Sequence, residues 1–189
     1  LVNENNPRTH LLHIVEYVEN RIIIHDHQAL KILTETLPLK DFSKYLTGIT
    51  CNQPPRIYIM DQSVTSEDIG TPQADFQDIW HHDVPYSTMK AVLYLEDTTI
   101  ENAAFCYSLK SNQFSLSRAF GEYSYSLKNC NYLKKGKRFP ENTKYFNMKE
   151  QKQLTAPSNS LIIFDASGSH KRGDFLKPSL SRKSIFIDY

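Results

Sequence analysis

The chain has 189 residues, 40% hydrophobic and 12% aromatic, with 22 basic against 21 acidic side chains. That is enough sequence for one domain with a real core, and the balanced charge excludes a general nucleic-acid footprint or an electrostatic membrane anchor. No apolar run approaches the roughly 18 residues needed to span a bilayer. The three cysteines, Cys51, Cys106 and Cys130, are odd in number and lack C-x-x-C spacing, which argues against a disulfide framework or zinc knuckle and fits a reducing, cytoplasmic setting.

From Pro7 to Asn20 the apolar positions Leu11, Leu12, Ile14, Val15 and Val18 recur at helical spacing and predict a first helix. A second is predicted over His27 to Leu37, stopped by Pro38, and a short third from Asp41 to Gly48. Residues 1–50 are therefore expected to form a mainly helical layer. His25-Asp26-His27 has metal-ligand spacing, although Asp26 reads more simply as a helix cap. Beyond Pro54-Pro55 the β-favouring run Ile57 to Met60 ends at Asp61-Gln62, and a polar loop leads to a strand predicted over Phe76 to Asp83. Met89 to Leu95 and Ala103 to Leu109 are the next strands, joined by a connection short enough for antiparallel neighbours. Phe114, Leu116, Phe120 and Tyr123 predict a helix in a loop-rich region over 112–150. Lys134, Lys135, Lys137 and Arg138 there are either a solvated loop or an attractor for an anionic group. Two further strands are predicted, at 161–164 and 184–189.

The candidate chemistry lies in Trp80-His81-His82-Asp83. In an extended segment His81 and Asp83 share one face while Trp80 and His82 point the other way. Joined by His170 from the distant Ser167-Gly168-Ser169-His170 stretch, they make a 2-His-1-carboxylate set of the kind that holds Fe(II) with coordination positions left open. His82 is expected to pack or hydrogen-bond outside that cavity. Lys90 either contacts a ligand or lies at the mouth with its stem packed, and Asp165 and Arg172 either orient the distal histidine or form a surface pair.

These residues, with Lys-Ala-Val-Leu-Tyr-Leu-Glu-Asp at 90–97, Glu-Asn-Ala-Ala-Phe at 101–105, the 161–173 segment around His170, and Ser-Arg-Lys-Ser at 181–184, carry a resemblance. From roughly Ile57 to the C-terminus the chain resembles the phytanoyl-CoA dioxygenase (PhyH)-like branch of Fe(II)/2-oxoglutarate oxygenases. The resemblance implies a mainly β fold, a double-stranded β-helix or distorted, cupin-like jelly roll, with the N-terminal helices packed outside. It implies one domain over 1–189, with the β core at 56–189 and a helix/loop insertion near 112–150.

The resemblance further implies that His81, Asp83 and His170 bind Fe(II), with 2-oxoglutarate and O₂ as co-substrates. Arg182 would meet the distal carboxylate of 2-oxoglutarate, Ser184 would donate a further hydrogen bond to it, and Gln62 would lie near its chelating end. Asp83 stands where related halogenases carry a small residue, which favours hydroxylation or a related C–H oxidation. The substrate implied is a small organic or natural-product-type molecule, an anionic one being favoured by the basic run; neither nucleic acid nor membrane is expected as a partner. The alternatives are a cupin-like metal-dependent isomerase or hydrolase and a non-catalytic jelly-roll binding module. Three turns depart from the family pattern: Ala103-Ala104 for Gly-Pro, Lys110-Ser111-Asn112 for Gly-Ser-His, and Asn159-Ser160 for Gly-Asp.

Overall fold

A computed structural model describes residues 15–18, 21–24, 38–49, 55–63, 77–128, 139–140 and 148–189. Its strands are β1 (Val15–Val18), β2 (Arg21–Ile24), β3 (Arg56–Ser63), β4 (His81–His82), β5 (Met89–Tyr94), β6 (Phe105–Ser108), β7 (Phe139–Pro140), β8 (Gln151–Leu154), β9 (Leu161–Asp165), β10 (His170–Arg172) and β11 (Ser181–Asp188). Its helices are α1 (Leu39–Thr47) and α2 (Leu116–Lys128). The strands form two antiparallel sheets, one of six in the order β1-β2-β3-β11-β5-β9 and one of five in the order β7-β4-β10-β6-β8.

Strand alternation gives the larger sheet two different faces. One face buries Ile57, Met89, Ala91 and Ile187 beneath Leu39 of α1. The other carries Val92, Tyr94 and Phe164, which pack on Phe105 of the second sheet. That inner face also carries Arg182, Ser184, Phe186 and Asp188 of β11, because they alternate with the outward Ile185 and Ile187. β11 pairs with β3 along its whole length and with β5 over Ser184 to Asp188, so its position is held from both sides.

Several expectations change. The first predicted helix is contradicted where it is described: Val15–Val18 is a strand in a hairpin with β2, and β2 pairs with β3. The β-branched run Arg21–Ile24 suits a pleated sheet, and an open edge of β3 outweighs a short helical periodicity. In the described part of residues 1–50 the helix is α1, which begins at Leu39 and ends, as expected, at Gly48 in the left-handed conformation with φ 72°. The predicted helix over His27 to Leu37, His25-Asp26-His27 and the basic run 134–138 lie outside the described residues.

The strand predicted over Phe76 to Asp83 is reduced to His81–His82, preceded by a turn. β5 and β6 are not neighbours: β5 lies in the larger sheet and β6 in the smaller, so the connection between them crosses from sheet to sheet. Helix α2 is present, but Phe114, Leu116, Phe120 and Tyr123, the side chains that predicted it, are exposed. Among the described residues no helix is long and apolar enough to cross a membrane.

Candidate metal and co-substrate site

Strand pairing assembles the site. β10 places His170 directly opposite His81 of β4, and the two imidazoles meet edge to face with centroids 4.6 Å apart. Asp83 follows β4 by one residue, with its backbone N–H donating to Ala166 O. Its Oδ1 lies 3.9 Å from His81 Nε2 and its Oδ2 3.5 Å from His170 Nε2. One ligand atom from each of the three lies within 4.8 Å of the others, a spacing that a single metal ion can bridge.

Each histidine is oriented by its own backbone. His81 Nδ1 is 2.6 Å from Ile79 O, and His170 Nδ1 is 2.8 Å from Gly168 O. A carbonyl only accepts, so both Nδ1 atoms carry the proton and both Nε2 lone pairs face Asp83. That is the tautomer a metal-binding histidine needs. The donor set of two neutral imidazoles and one carboxylate suits Fe(II).

Lys90 pairs with two carboxylates: its ammonium is 2.9 Å from Asp83 Oδ2 and 3.3 Å from Asp188 Oδ2. Burial works against its charge, but the two carboxylates prevail and hold its pKa above the ordinary lysine value. His82 points away from the triad, as expected. It is wholly buried, 3.6 Å from Glu122 Oε1 on α2, and burial followed by the nearby Arg118 charge pushes its pKa down to about 3.

The inner cavity is lined by all three triad residues together with Arg182, Gln77, Phe105 and Phe186, among others, and has a volume of about 30 Å³. Arg182 is 1% exposed; its Nη1 donates to Ala103 O and its Nη2 to Gln62 Oε1, both at 2.6 Å. Gln62 therefore meets the guanidinium, whereas the resemblance assigns it to the chelating end of 2-oxoglutarate. The Ser184 hydroxyl, two residues along the same face, is buried with no hydrogen-bond partner among the described residues, an acceptor-seeking group beside a buried cation.

Asp165 is a buried hub and not half of a surface pair. It accepts from Ser87 Oγ, Thr88 N, Ser167 N and Asn112 Nδ2. Burial alone would raise its pKa, but these hydrogen bonds hold it below the ordinary carboxylate value. Arg172 is buried too, its guanidinium 5.6 Å from the Phe175 ring centroid.

Sequence reasoning missed Arg118. From α2 it donates to Ser111 O and Ser167 O, both at 2.8 Å, and to Glu122 Oε1 at 2.7 Å, clamping the turn that presents His170. The Arg-x-x-x-Glu spacing on a predicted helix was the available signal. Ser111 Oγ adds a second tie by accepting from Ser169 N at 2.7 Å.

No family model and no curated protein matches the chain by sequence. Solved structures do match in three dimensions. SnoK, a non-heme α-ketoglutarate-dependent carbocyclase from nogalamycin biosynthesis, aligns with TM-score 0.55 at 13% identity, over 96% of this chain and 71% of its own. SnoN, an epimerase of the same biosynthesis crystallised with Fe3+, α-ketoglutarate and nogalamycin RO, gives 0.53 at 12% over 96% and 70%. In another SnoN structure the chain spans 60% of the protein's length. HygX from Streptomyces hygroscopicus with nickel, 2-oxoglutarate and hygromycin B gives 0.50 at 13% over 96% and 75%. At such identities the likeness is one of architecture: this chain shares the mainly β fold of 2-oxoglutarate-dependent enzymes.

Proposed function

We propose that the chain is an Fe(II)- and 2-oxoglutarate-dependent oxygenase of the PhyH-like type, built on a jelly roll and hydroxylating a small organic molecule. The observation that carries this reading is the convergence of two imidazole nitrogens and a carboxylate within 4.8 Å, in a cavity that also contains buried Arg182. His81, Asp83 and His170 would hold the iron. Arg182 would take the distal carboxylate of 2-oxoglutarate in its planar fork, with the Ser184 hydroxyl donating to the same group. Iron so held supplies, with O₂ and 2-oxoglutarate, the oxidation of a substrate C–H bond coupled to formation of succinate and CO₂.

The chain's own contribution is positional. The Ile79 and Gly168 carbonyls keep both histidines in the ligating tautomer. Lys90 restrains Asp83 through Oδ2, leaving Oδ1 available. Tyr58, Phe105, Phe164 and Phe186 form a largely apolar wall that limits water. Gln62 Oε1 holds the Arg182 guanidinium, so a dicarboxylate entering there would have to displace that hydrogen bond. The small-molecule partners named for SnoN and HygX support a substrate of comparable scale.

Purified protein given Fe(II), O₂ and 2-oxoglutarate is expected to release succinate; if it neither binds 2-oxoglutarate nor releases succinate, the reading fails. Arg182→Ala should weaken 2-oxoglutarate binding about 10- to 100-fold, the loss of roughly 1.5–3 kcal/mol from charge-assisted bonds, while metal binding changes far less. Calorimetric titration of each ligand separates the two effects, and equal losses would point to a misplaced site. SnoN and SnoK are named an epimerase and a carbocyclase, so product mass decides the outcome here: a gained oxygen atom supports hydroxylation, and its absence points to another oxidation.

A further inference from the structure

A second pocket, about 500 Å³ in volume, opens beside the triad and shares Asp83 and Lys90 with the inner cavity. β11 relates the two spaces. Arg182 and Asp188 lie on the same face of that strand six residues apart, or about 20 Å at roughly 3.4 Å per residue. Arg182 lines the closed, inner space, while Asp188 lines the open one.

At the open end the strand registers put Asp188 between Arg56 of β3 and Lys90 of β5. With Asp83 beyond Lys90, the row reads positive, negative, positive, negative, and all four residues line the pocket. Such a row disfavours three kinds of occupant. An aliphatic chain would strip water from four charged groups and replace none of their hydrogen bonds. A polyanion would face Asp188 and Asp83, and a polycation Arg56 and Lys90. A neutral molecule dense in hydroxyls satisfies both signs, because each hydroxyl both donates and accepts. Tyr86, 64% exposed, and Tyr189 add aromatic surface on the pocket wall against which the C–H face of a ring can lie.

The geometry points to this pocket as the prime-substrate chamber, and to a neutral polyhydroxylated ring, a glycoside or cyclitol, as its occupant. The inference rests on the metal reading above, since it places the substrate beside Asp83. The size agrees: small-molecule sites typically run from about 300 to 1,000 Å³.

The test uses the Fe(II)-loaded protein with 2-oxoglutarate and reads succinate release with three probe sets: methyl glycosides and inositols, medium-chain acyl thioesters, and α-amino acids. The hydroxylated rings are expected to raise the rate several-fold over the level without probe. Tyr86→Ala, a change at an exposed position that the fold tolerates, should raise the half-maximal probe concentration about tenfold. Stimulation by thioesters or amino acids but not by the rings, stimulation by none, or an unchanged half-maximal concentration in Tyr86→Ala overturns the assignment. Binding of 2-oxoglutarate to the Fe(II)-loaded protein separates the two levels: failure both to bind it and to release succinate under any condition brings down the oxygenase reading, whereas binding with unresponsive rings brings down the substrate class alone.

Discussion

Ala103, Lys110 and Asn159 hold the backbone in the left-handed region, at φ 65°, 63° and 65°. They are the positions at which the resemblance leads one to expect glycine, the residue that adopts such backbone without strain. A side chain in this region costs roughly 1–2 kcal/mol, and least for asparagine, whose short polar group tolerates it. Lys110 is exposed and its side chain adds little packing, so Lys110→Gly should stabilise the fold by about 1 kcal/mol in urea titration. Asn159→Gly should do less, and Ala103→Gly should come out near neutral because its methyl is fully buried beside Phe175. An equal gain at all three would refute the account. The departures themselves were legible in the sequence. Their outcome was not, because whether a turn bends or absorbs strain depends on what holds its ends, such as the Arg182 bond to Ala103 O.

At the level of elements, α2 is a clamp whose working residue lies on the face opposite to the one that betrayed it. Its apolar periodicity made the helix legible, yet those side chains face solvent while Arg118 is 4% exposed and tied to two turns. Polar burial leaves no apolar period, so the Arg118 and Glu122 spacing was the one trace of the clamp. Arg118→Met should cost about 3 kcal/mol, the scale of a buried ion pair broken from one side, and should loosen metal binding through the His170 turn. Chemical denaturation and metal titration read the two effects; a stable variant with unchanged metal affinity would show the clamp to be idle.

The glycines on either side of β10 leave no room for a side chain. A Cβ on Gly173 would meet the Ala104 carbonyl oxygen at 2.6 Å, and backbone does not give way. A Cβ on Gly168 would meet chiefly the Tyr107 side chain. Both Gly173→Ala and Gly168→Ala should therefore lower the melting temperature, and Gly168→Ala should also displace His170, because Tyr107 is held by its hydrogen bond to Asp165 O.

Across the whole molecule, the apolar runs revealed β3, β5, β6, β9 and β11, the strands that bury a face. They could not reveal which sheet each joins: a strand reads the same whether its neighbour follows at once or comes from the far end of the chain. β8, with polar Gln151, Lys152 and Gln153 exposed, and the three-residue β10 lack the alternation that marks a strand. The triad was legible because H-x-D imposes its own face, whereas the Lys90 row and the Asp165 hub exist only once distant segments meet.

Asp165 also sets an expectation for acid stability. Its folded pKa lies below the unfolded value of 3.8, so it stabilises the fold above that value and the contribution is lost as pH falls through the folded one. Asp165→Asn should lower stability at neutral pH by about 2 kcal/mol and flatten its fall below about pH 4, as followed by denaturation across pH. An unchanged acid slope would show that other carboxylates govern it.

β11 is in effect the ruler of the molecule. Arg182 and Asp188 are graduations on one strand paired on both sides, so their separation cannot be tuned by loop movement. A register slip of one residue would invert the scale, turning Arg182, Ser184 and Asp188 outward and driving Lys183, Ile185 and Ile187 into the cavity. A change in the spacing of the two pockets must therefore come from the loops that carry Asp83 and Tyr86, while the strand keeps the calibration.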